Sequence, residues 1–242
     1  MEKLEEYKAV LVGKTPAQVI EWAEKEFTGS KVALASSLGP EDQVLTQMLN
    51  AHAPSTRIFT LDTGRLFQET YDVMQHTIDA YGVRYEVCTP DNQKVANMVS
   101  KKGPNLFRNS IEDRKLCCNI RKVEPLKKVL GTLKAWVTGL RQEQSVTRTG
   151  VHVIEWDQNN AIYKINPLWD WSEAKVWDFI DEYGIPYTSL HDKGFRSIGC
   201  APCTRATNPG EDARAGRWWW ETPEQKECGL HMVNGKLERI KK

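Results

Sequence analysis

Six cysteines stand in this 242-residue chain, and five of them fall at spacings that suit chemistry: Cys117-Cys118, Cys200-x-x-Cys203 and, near the end, Cys228. Neighbouring residues lie about 3.8 Å apart at Cα, below the span a disulfide bridges, so Cys117 and Cys118 read as two ligands of one metal centre. With Cys200 and Cys203 they make four thiolates, a set that suits a tetrahedral zinc or an iron–sulfur cluster. Structural zinc sites draw their cysteines from C-x(2–4)-C turns, which an adjacent pair cannot form, and this favours the cluster. Cys228 lies in KECGLH, between charged residues and glycine, where a thiolate nucleophile could swing in and out of a pocket. On local sequence alone, an idle exposed thiol explains it equally well. Cys88, in YEVCTP at a strand end, reads as a small buried hydrophobe and is assigned no function.

The elements that must position these residues follow a repeating pattern. Thr15, Pro16 and Gln18 form a capping box that opens a helix running to about Phe27, closed by Gly29. Lys31–Ser36 is a short apolar strand that breaks into SSLGPED, after which Val44, Leu45 and Met48 recur at helical spacing to about Asn50. Strand Arg57–Leu61, helix Leu66–Ala80, strand Val83–Val87, helix Asn92–Lys101 and strand Lys134–Thr138 continue the alternation. Such β–α repeats predict a parallel sheet wrapped by helices, with ligands at the carboxyl ends of its strands. SSLGPED, LDTGR and TGLRQEQS are thereby expected around one crevice.

Beyond residue 150 two further strands, His152–Trp156 and Ala161–Ile165, precede a helix from Ser172 that carries Val176, Phe179, Ile180 and Tyr183 on one face. From Ser197 periodicity is lost and glycine, proline and arginine gather, a composition expected of loop or mobile tail that nevertheless holds three cysteines. The Trp218–Trp220 run suits core packing or tail docking better than a nucleic-acid stacking platform.

The length fits one large α/β domain. The 33 basic and 32 acidic residues balance to a formal charge of +1, so no global field points to nucleic acid or anionic lipid, and an anionic substrate must be held by local charge. MEKLEEYKAV has no apolar signal core and no stretch is long enough to span a membrane, so a cytoplasmic location is expected. A reducing compartment also favours metal-binding or catalytic thiols over disulfides.

SSLGPED, LDTGRLF, the CC followed by RKVEPL, GLRQEQS, GCAPC and the terminal ECGLH, spread in order over residues 30–231, resemble the assimilatory adenylyl-sulfate reductases, the iron–sulfur branch of the phosphoadenylyl-sulfate reductase family. The resemblance implies a doubly wound, mainly parallel sheet of the adenine nucleotide alpha-hydrolase-like, Rossmann-like kind with a modified phosphate loop. It implies a reductase domain over 1–212 and a mobile tail over 213–242. It implies a [4Fe–4S] cluster on Cys117, Cys118, Cys200 and Cys203, with Cys228 as the catalytic nucleophile. Lys122, Arg148, Arg214 and Arg217 would hold the phosphosulfate, and His231 would belong to the same pocket. Ser36, Ser37 and Gly39 would cup the nucleotide, whose adenine and ribose would lie against Leu61 and Gly64-Arg65. Lys122, four residues after Cys118 on a helix whose Val123, Leu126 and Leu130 face inward, would serve cluster and substrate together.

The implied reaction is reduction of adenosine 5′-phosphosulfate to sulfite and AMP in sulfate assimilation. It would proceed through an S-sulfonated Cys228 that thioredoxin or glutaredoxin then resolves. That scheme needs no one-electron step, so the cluster would organise charge rather than carry electrons. A homo-oligomer is compatible with the family. SSLGPED departs from the SGGxDS loop of ATP pyrophosphatases: the final serine is absent and Glu41-Asp42 open the helix, where acids suit capping better than phosphate binding. This departure and the missing basic surface disfavour a tRNA-thiolating enzyme. A 3′-phosphoadenylyl-sulfate reductase of the same mechanism and a zinc-stapled, non-catalytic binding protein remain as alternatives.

Overall fold

Val32, Ala33 and Leu34 are wholly buried, as a short apolar strand covered on both faces must be. They lie on β1 (Val32–Ser36), the centre of a sheet completed by β2 (Arg57–Leu61), β3 (Tyr85–Cys88), β4 (Ala135–Val137), β5 (Ile154–Asp157) and β6 (Ile162–Ile165). In the computed structural model, which describes residues 2–144 and 150–222, the six strands run in the order β3-β2-β1-β4-β6-β5. All neighbours are parallel except β5, which joins β6 antiparallel at the edge. The chain moves outward from β1 to β2 and β3, then returns to place β4 on the other side of β1. The β1/β4 gap is therefore the switch point at which an open α/β sheet leaves a crevice.

Helices α1 (Glu2–Leu11), α2 (Pro16–Phe27), α3 (Pro40–His52), α4 (Gln68–Tyr81) and α5 (Asn92–Lys102) precede α6 (Ile111–Cys118), α7 (Glu124–Leu130) and α8 (Glu173–Tyr183). The capping box is formed: Thr15 Oγ1 accepts from the Gln18 amide at 3.3 Å, and the Thr15 amide donates to Gln18 Oε1 at 3.0 Å. Val19, Ile20, Ala23 and Phe27 of α2 join Val44, Leu45, Met48 and Leu49 of α3 in the core on one face of the sheet. Leu126, Val129 and Leu130 of α7 cover Ala33, Phe59 and Trp136 on the other.

Five of the six strands start one or two residues later than the pattern predicts, β2 alone starting where expected. The start of β6 is explained by Ala161, whose φ of 53° is left-handed and cannot enter a strand. Tyr183 shares the expected face of α8, stacking on Phe179 at 4.3 Å between ring centroids, but is exposed, while Val176 and Ile180 are buried. α1 carried no signal strong enough to predict. Among the described residues no helix is long and apolar enough to cross a membrane.

Candidate active site

The loops after β1, β2 and β4 meet at one end of the sheet, as the strand topology requires. Ser36 Oγ accepts from the Leu38 amide at 3.2 Å, and Gly39 precedes the first turn of α3. Ser37 donates from both its amide and its hydroxyl to Asp42 Oδ2, at 2.6 and 2.7 Å. Asp42 is buried, and burial pushes its carboxyl up to about 6 against the lowering effect of Ser37 and of the Gly139 amide. The donors that a phosphate loop would offer its ligand are thus engaged by the chain's own carboxylate. Gly139 makes this possible: a Cβ there would stand 2.7 Å from both Asp42 Oδ1 and Glu41 Cβ. Beside it, buried Arg141 donates from Nε to Glu41 Oε1 at 2.8 Å and from a terminal nitrogen to the Trp171 carbonyl at 3.2 Å. Gln144 adds a bond to the same Glu41 oxygen at 3.0 Å. The loop after β4 is in this way tied to the start of α3.

The four paired cysteines line one cavity at the same end of the molecule. Cys117 and Cys118 are the last residues of α6, which Ser110 caps by accepting from the Asp113 amide at 3.1 Å. One π-helical turn, Asn119–Val123, follows and widens the helix before α7, so Arg121 and Lys122 also reach the cavity. Lys122 therefore stands on a π turn and not on the regular helix its neighbours predict. Cys200 and Cys203 flank a 3₁₀ turn over Ala201–Cys203. The Ala201 amide donates to the Arg65 carbonyl at 2.8 Å, and Thr63 Oγ1 lies 3.2 Å from Cys200 Sγ. Arg121 donates to the Thr63 carbonyl at 2.6 Å and also lies against Gly64. LDTGR is therefore stitched to both cysteine pairs.

Arg65, Arg114, Arg121, Lys122 and Arg217 line the cavity, and among the described residues no acidic one does. Burial pushes the Cys117 thiol up, and it pushes Cys203 up to about 12 with help from neighbouring Cys200, Cys118 and Cys117. Burial acts on Cys200 too, but Lys122, the Thr63 hydroxyl, Arg217 and Arg121 outweigh it and hold that thiol below its ordinary value. Thiols crowded in this way cannot ionise together without positive charge between them, which a bound metal centre supplies. No three His, Cys, Asp or Glu side chains among the described residues converge on a point that would hold a single metal ion, whereas the four thiols share a cavity.

Of the expected substrate residues, Arg65, Lys122 and Arg217 come together with the cysteines. Ser36, Ser37, Gly39 and Leu61 lie along the neighbouring strand ends and do not line this cavity. Arg214 also stands off its wall, in the turn that leads into Arg217, whose amide donates to the Arg214 carbonyl at 2.9 Å. Arg148, Cys228 and His231 lie outside the described residues. Thr63, Arg121, Arg114 and Glu221 were not expected. Thr63 and Arg121 sit inside motifs already singled out, LDTGR and the RKVEPL that follows the CC, whereas nothing near Glu221 marks it in the sequence.

Residues 31–206 match the model of the phosphoadenosine phosphosulfate reductase domain. The chain belongs to the phosphoadenosine phosphosulfate reductase family. One relative in this family, named adenosine 5′-phosphosulfate reductase, from Allochromatium vinosum, is 53% identical over 200 residues, covering 83% of this chain and 78% of its own. Another of that name, from Burkholderia cepacia, is 49% identical over 84% of this chain and 81% of its own. The crystal structure of a phosphoadenylyl-sulfate reductase from Candida auris superposes with a TM-score of 0.74 at 28% identity, covering 85% of this chain and 97% of its own. FMN adenylyltransferase from Candida glabrata shares the fold, at a TM-score of 0.54 and 17% identity over 93% of this chain and 77% of its own. The cavity described above brings the four paired cysteines together with Arg65, Lys122 and Arg217 of the expected substrate residues.

Proposed function

We propose that this chain is an oxidoreductase of sulfate assimilation that reduces adenosine 5′-phosphosulfate to sulfite and AMP. The observation that carries the reading is the convergence of two cysteine pairs and five cations on one cavity next to the nucleotide-side loops. The relatives at 53% and 49% identity bear the same activity in their names and favour this substrate over its 3′-phosphorylated analogue.

Cys117, Cys118, Cys200 and Cys203 fit a [4Fe–4S] cluster, since four thiols arranged around shared space match its donor set. When bound, the cluster supplies a fixed charge and shape beside Lys122. Lys122 and Arg217, joined by Arg148 and Arg214, hold the phosphosulfate and draw negative charge toward themselves. Ser36, Ser37, Gly39, Leu61, Gly64 and Arg65 seat the nucleoside, and His231 completes the pocket. The Cys228 thiolate attacks the sulfate sulfur; the sulfur–oxygen bond to AMP breaks and AMP leaves with the electron pair. A thiol of a thioredoxin-type dithiol then attacks Cys228 Sγ, releasing sulfite with the bonding pair and leaving a mixed disulfide. The second thiol of the donor resolves it, so the two electrons come from the dithiol. In this reading residues 1–212 form the reductase body and 213–242 deliver the nucleophile, in the cytoplasm where thiols stay reduced.

Thioredoxin-dependent sulfite release is to be measured side by side from adenylyl sulfate and from its 3′-phosphorylated analogue, with Cys228→Ser as control. Preference for the first is expected. Preference for the second would overturn the substrate, and no sulfite from either with the cluster intact would overturn the reductase reading.

A further inference from the structure

Arg114 is a fully buried arginine on α6, one helical turn before Cys117. Its Nε donates to Glu221 Oε1 at 2.7 Å, with the two side chains 0% and 5% exposed. Its guanidinium also lies 4.6 Å from the centroid of the buried Trp218 ring. An arginine cannot shed its charge, and taking both charges out of water is costly, so such a pair is weak support for stability. What a buried, directional pair does well is specify one position for the chain that bears it.

The segment that bears it is the root of the C-terminal region. Trp218 donates its amide to the Cys203 carbonyl at 3.1 Å, and the Glu221 amide donates to the Trp218 carbonyl at 2.9 Å. Thr204 and Arg217 form an antiparallel bridge, and Arg217 donates to the Ile198 carbonyl at 3.0 Å. Arg217 packs so closely on Gly199 that any Cβ there would collide with its guanidinium. The root is thereby fixed twice: to the Cys200/Cys203 turn through Arg217 and Trp218, and to the Cys117/Cys118 helix through Arg114 and Glu221.

We infer that the Arg114–Glu221 pair is a positioning latch for the nucleophile, holding the root of the C-terminal segment on the helix that presents Cys117 and Cys118. The inference rests on the reading of Cys228 as the attacking thiol. Cys228 lies seven residues past Glu221, a reach of at most about 25 Å. If the root detaches as far back as Thr204, the connection grows to 24 residues. The local concentration of a tethered group falls roughly as the −3/2 power of connector length, so the thiol would be diluted up to about 6-fold. If only Glu221 lets go and Trp218 holds, the connection is ten residues and the dilution is about 1.7-fold. The pair also links the two halves of the cysteine site to the same segment, so the nucleophile and the cluster ligands share one mechanical support.

The test compares wild type, Glu221→Gln and the double variant Arg114→Met/Glu221→Met. The double variant removes both charges while keeping apolar volume, so it is the one chosen to fold if Glu221→Gln does not. With cluster-loaded protein and no reductant, the rate of the single AMP burst reports Cys228 S-sulfonation, AMP affinity reports the pocket, and iron and labile sulfide report the cluster. The latch predicts a burst slowed about 2- to 6-fold or more in both variants, with iron content unchanged in both and AMP affinity unchanged in Glu221→Gln, which leaves the Arg114 cation on the cavity wall. It also predicts Cys228 alkylation by iodoacetamide that AMP protects less than in wild type. A wild-type burst rate in a folded variant, or a burst lost in proportion to iron, overturns it. Cys228→Ser separates the two levels: a normal burst from that variant would overturn the nucleophile reading itself, whatever the latch variants do.

Discussion

Asp42→Asn probes the self-satisfied loop. In the folded chain burial raises the Asp42 carboxyl from 3.8 to about 6, although Ser37 donates to it twice. The native state then binds more protons than the unfolded chain between these values. This group's favourable contribution is fully present below about pH 3.8 and is lost as pH rises through about 6. The whole shift is worth about 3 kcal/mol at about 1.4 kcal/mol per unit. Between pH 5 and 7 the linkage relation leaves about 1.3 kcal/mol of it. Asparagine cannot ionise; it keeps an acceptor for the Ser37 amide and costs a roughly constant 0.5–1.5 kcal/mol for weakened hydrogen bonding. Thermal unfolding of both proteins from pH 5 to 7.5 should show the asparagine variant gaining on wild type as pH rises. At about 2–4 °C per kcal/mol for a chain of this size, the gain by pH 7 is about 3–5 °C. A Tm difference that stays level across the range, or one that moves against the variant, would refute the burial-raised carboxyl and with it the account of the occupied phosphate loop.

Lys122→Met removes the cation that most strongly lowers Cys200 and faces the expected phosphosulfate. We expect sulfite formation to fall about 30- to 1,000-fold, from about 2–4 kcal/mol of lost charge stabilisation, with iron content retained. Gly139→Ala places a methyl 2.7 Å from Asp42 Oδ1, so the loop after β4 must shift. A lowered Tm and a weakened AMP affinity, measured by calorimetry, should appear together. Cys203→Ser leaves three thiols around the cavity, and iron and labile sulfide per chain should drop by more than half; full retention of both would show that Cys203 is not a ligand.

The sheet was legible because its signals are local. Val32–Ser36 and Arg57–Leu61 are apolar runs bounded by breakers, and the Thr15 capping box needs only four residues to be recognised. The cysteine pairs were legible for the same reason, their spacing being informative before any fold is known. What was missed depends on partners far away in sequence. Glu221 acquires meaning only through Arg114, 107 residues earlier, and Arg141 only through Glu41, 100 residues earlier. Tyr183 lies on the expected face of α8 and is nevertheless exposed, because helical periodicity at the last turn says nothing about what neighbour is there to cover it. The π turn after Cys118 was hidden by an ordinary helical composition, since it arises from packing and not from propensity.

A formal charge of +1 conceals how the molecule spends its cations. Asp42 engages the Ser37 donors after β1, and Glu41 neutralises Arg141 after β4, so the usual phosphate-binding end of this fold is already occupied by the chain's own acids. Strong anion binding must then come from elsewhere on the same crevice. The cavity between LDTGR and the two cysteine pairs is where, among the described residues, positive charge remains without an acid on the wall, with Lys122 and Arg217 both acting on Cys200. Under the proposed function the cations that act on the thiols and those that hold the phosphosulfate are therefore the same residues. If a cluster sits on the four thiols as proposed, its loss would leave buried thiols competing with the substrate for Lys122 and Arg217, so the apo protein should bind AMP differently from the loaded one even if no electron ever passes through the cluster. Calorimetry of AMP binding before and after iron removal measures that coupling, and equal affinities in the two states would show that cluster and substrate do not share their cations.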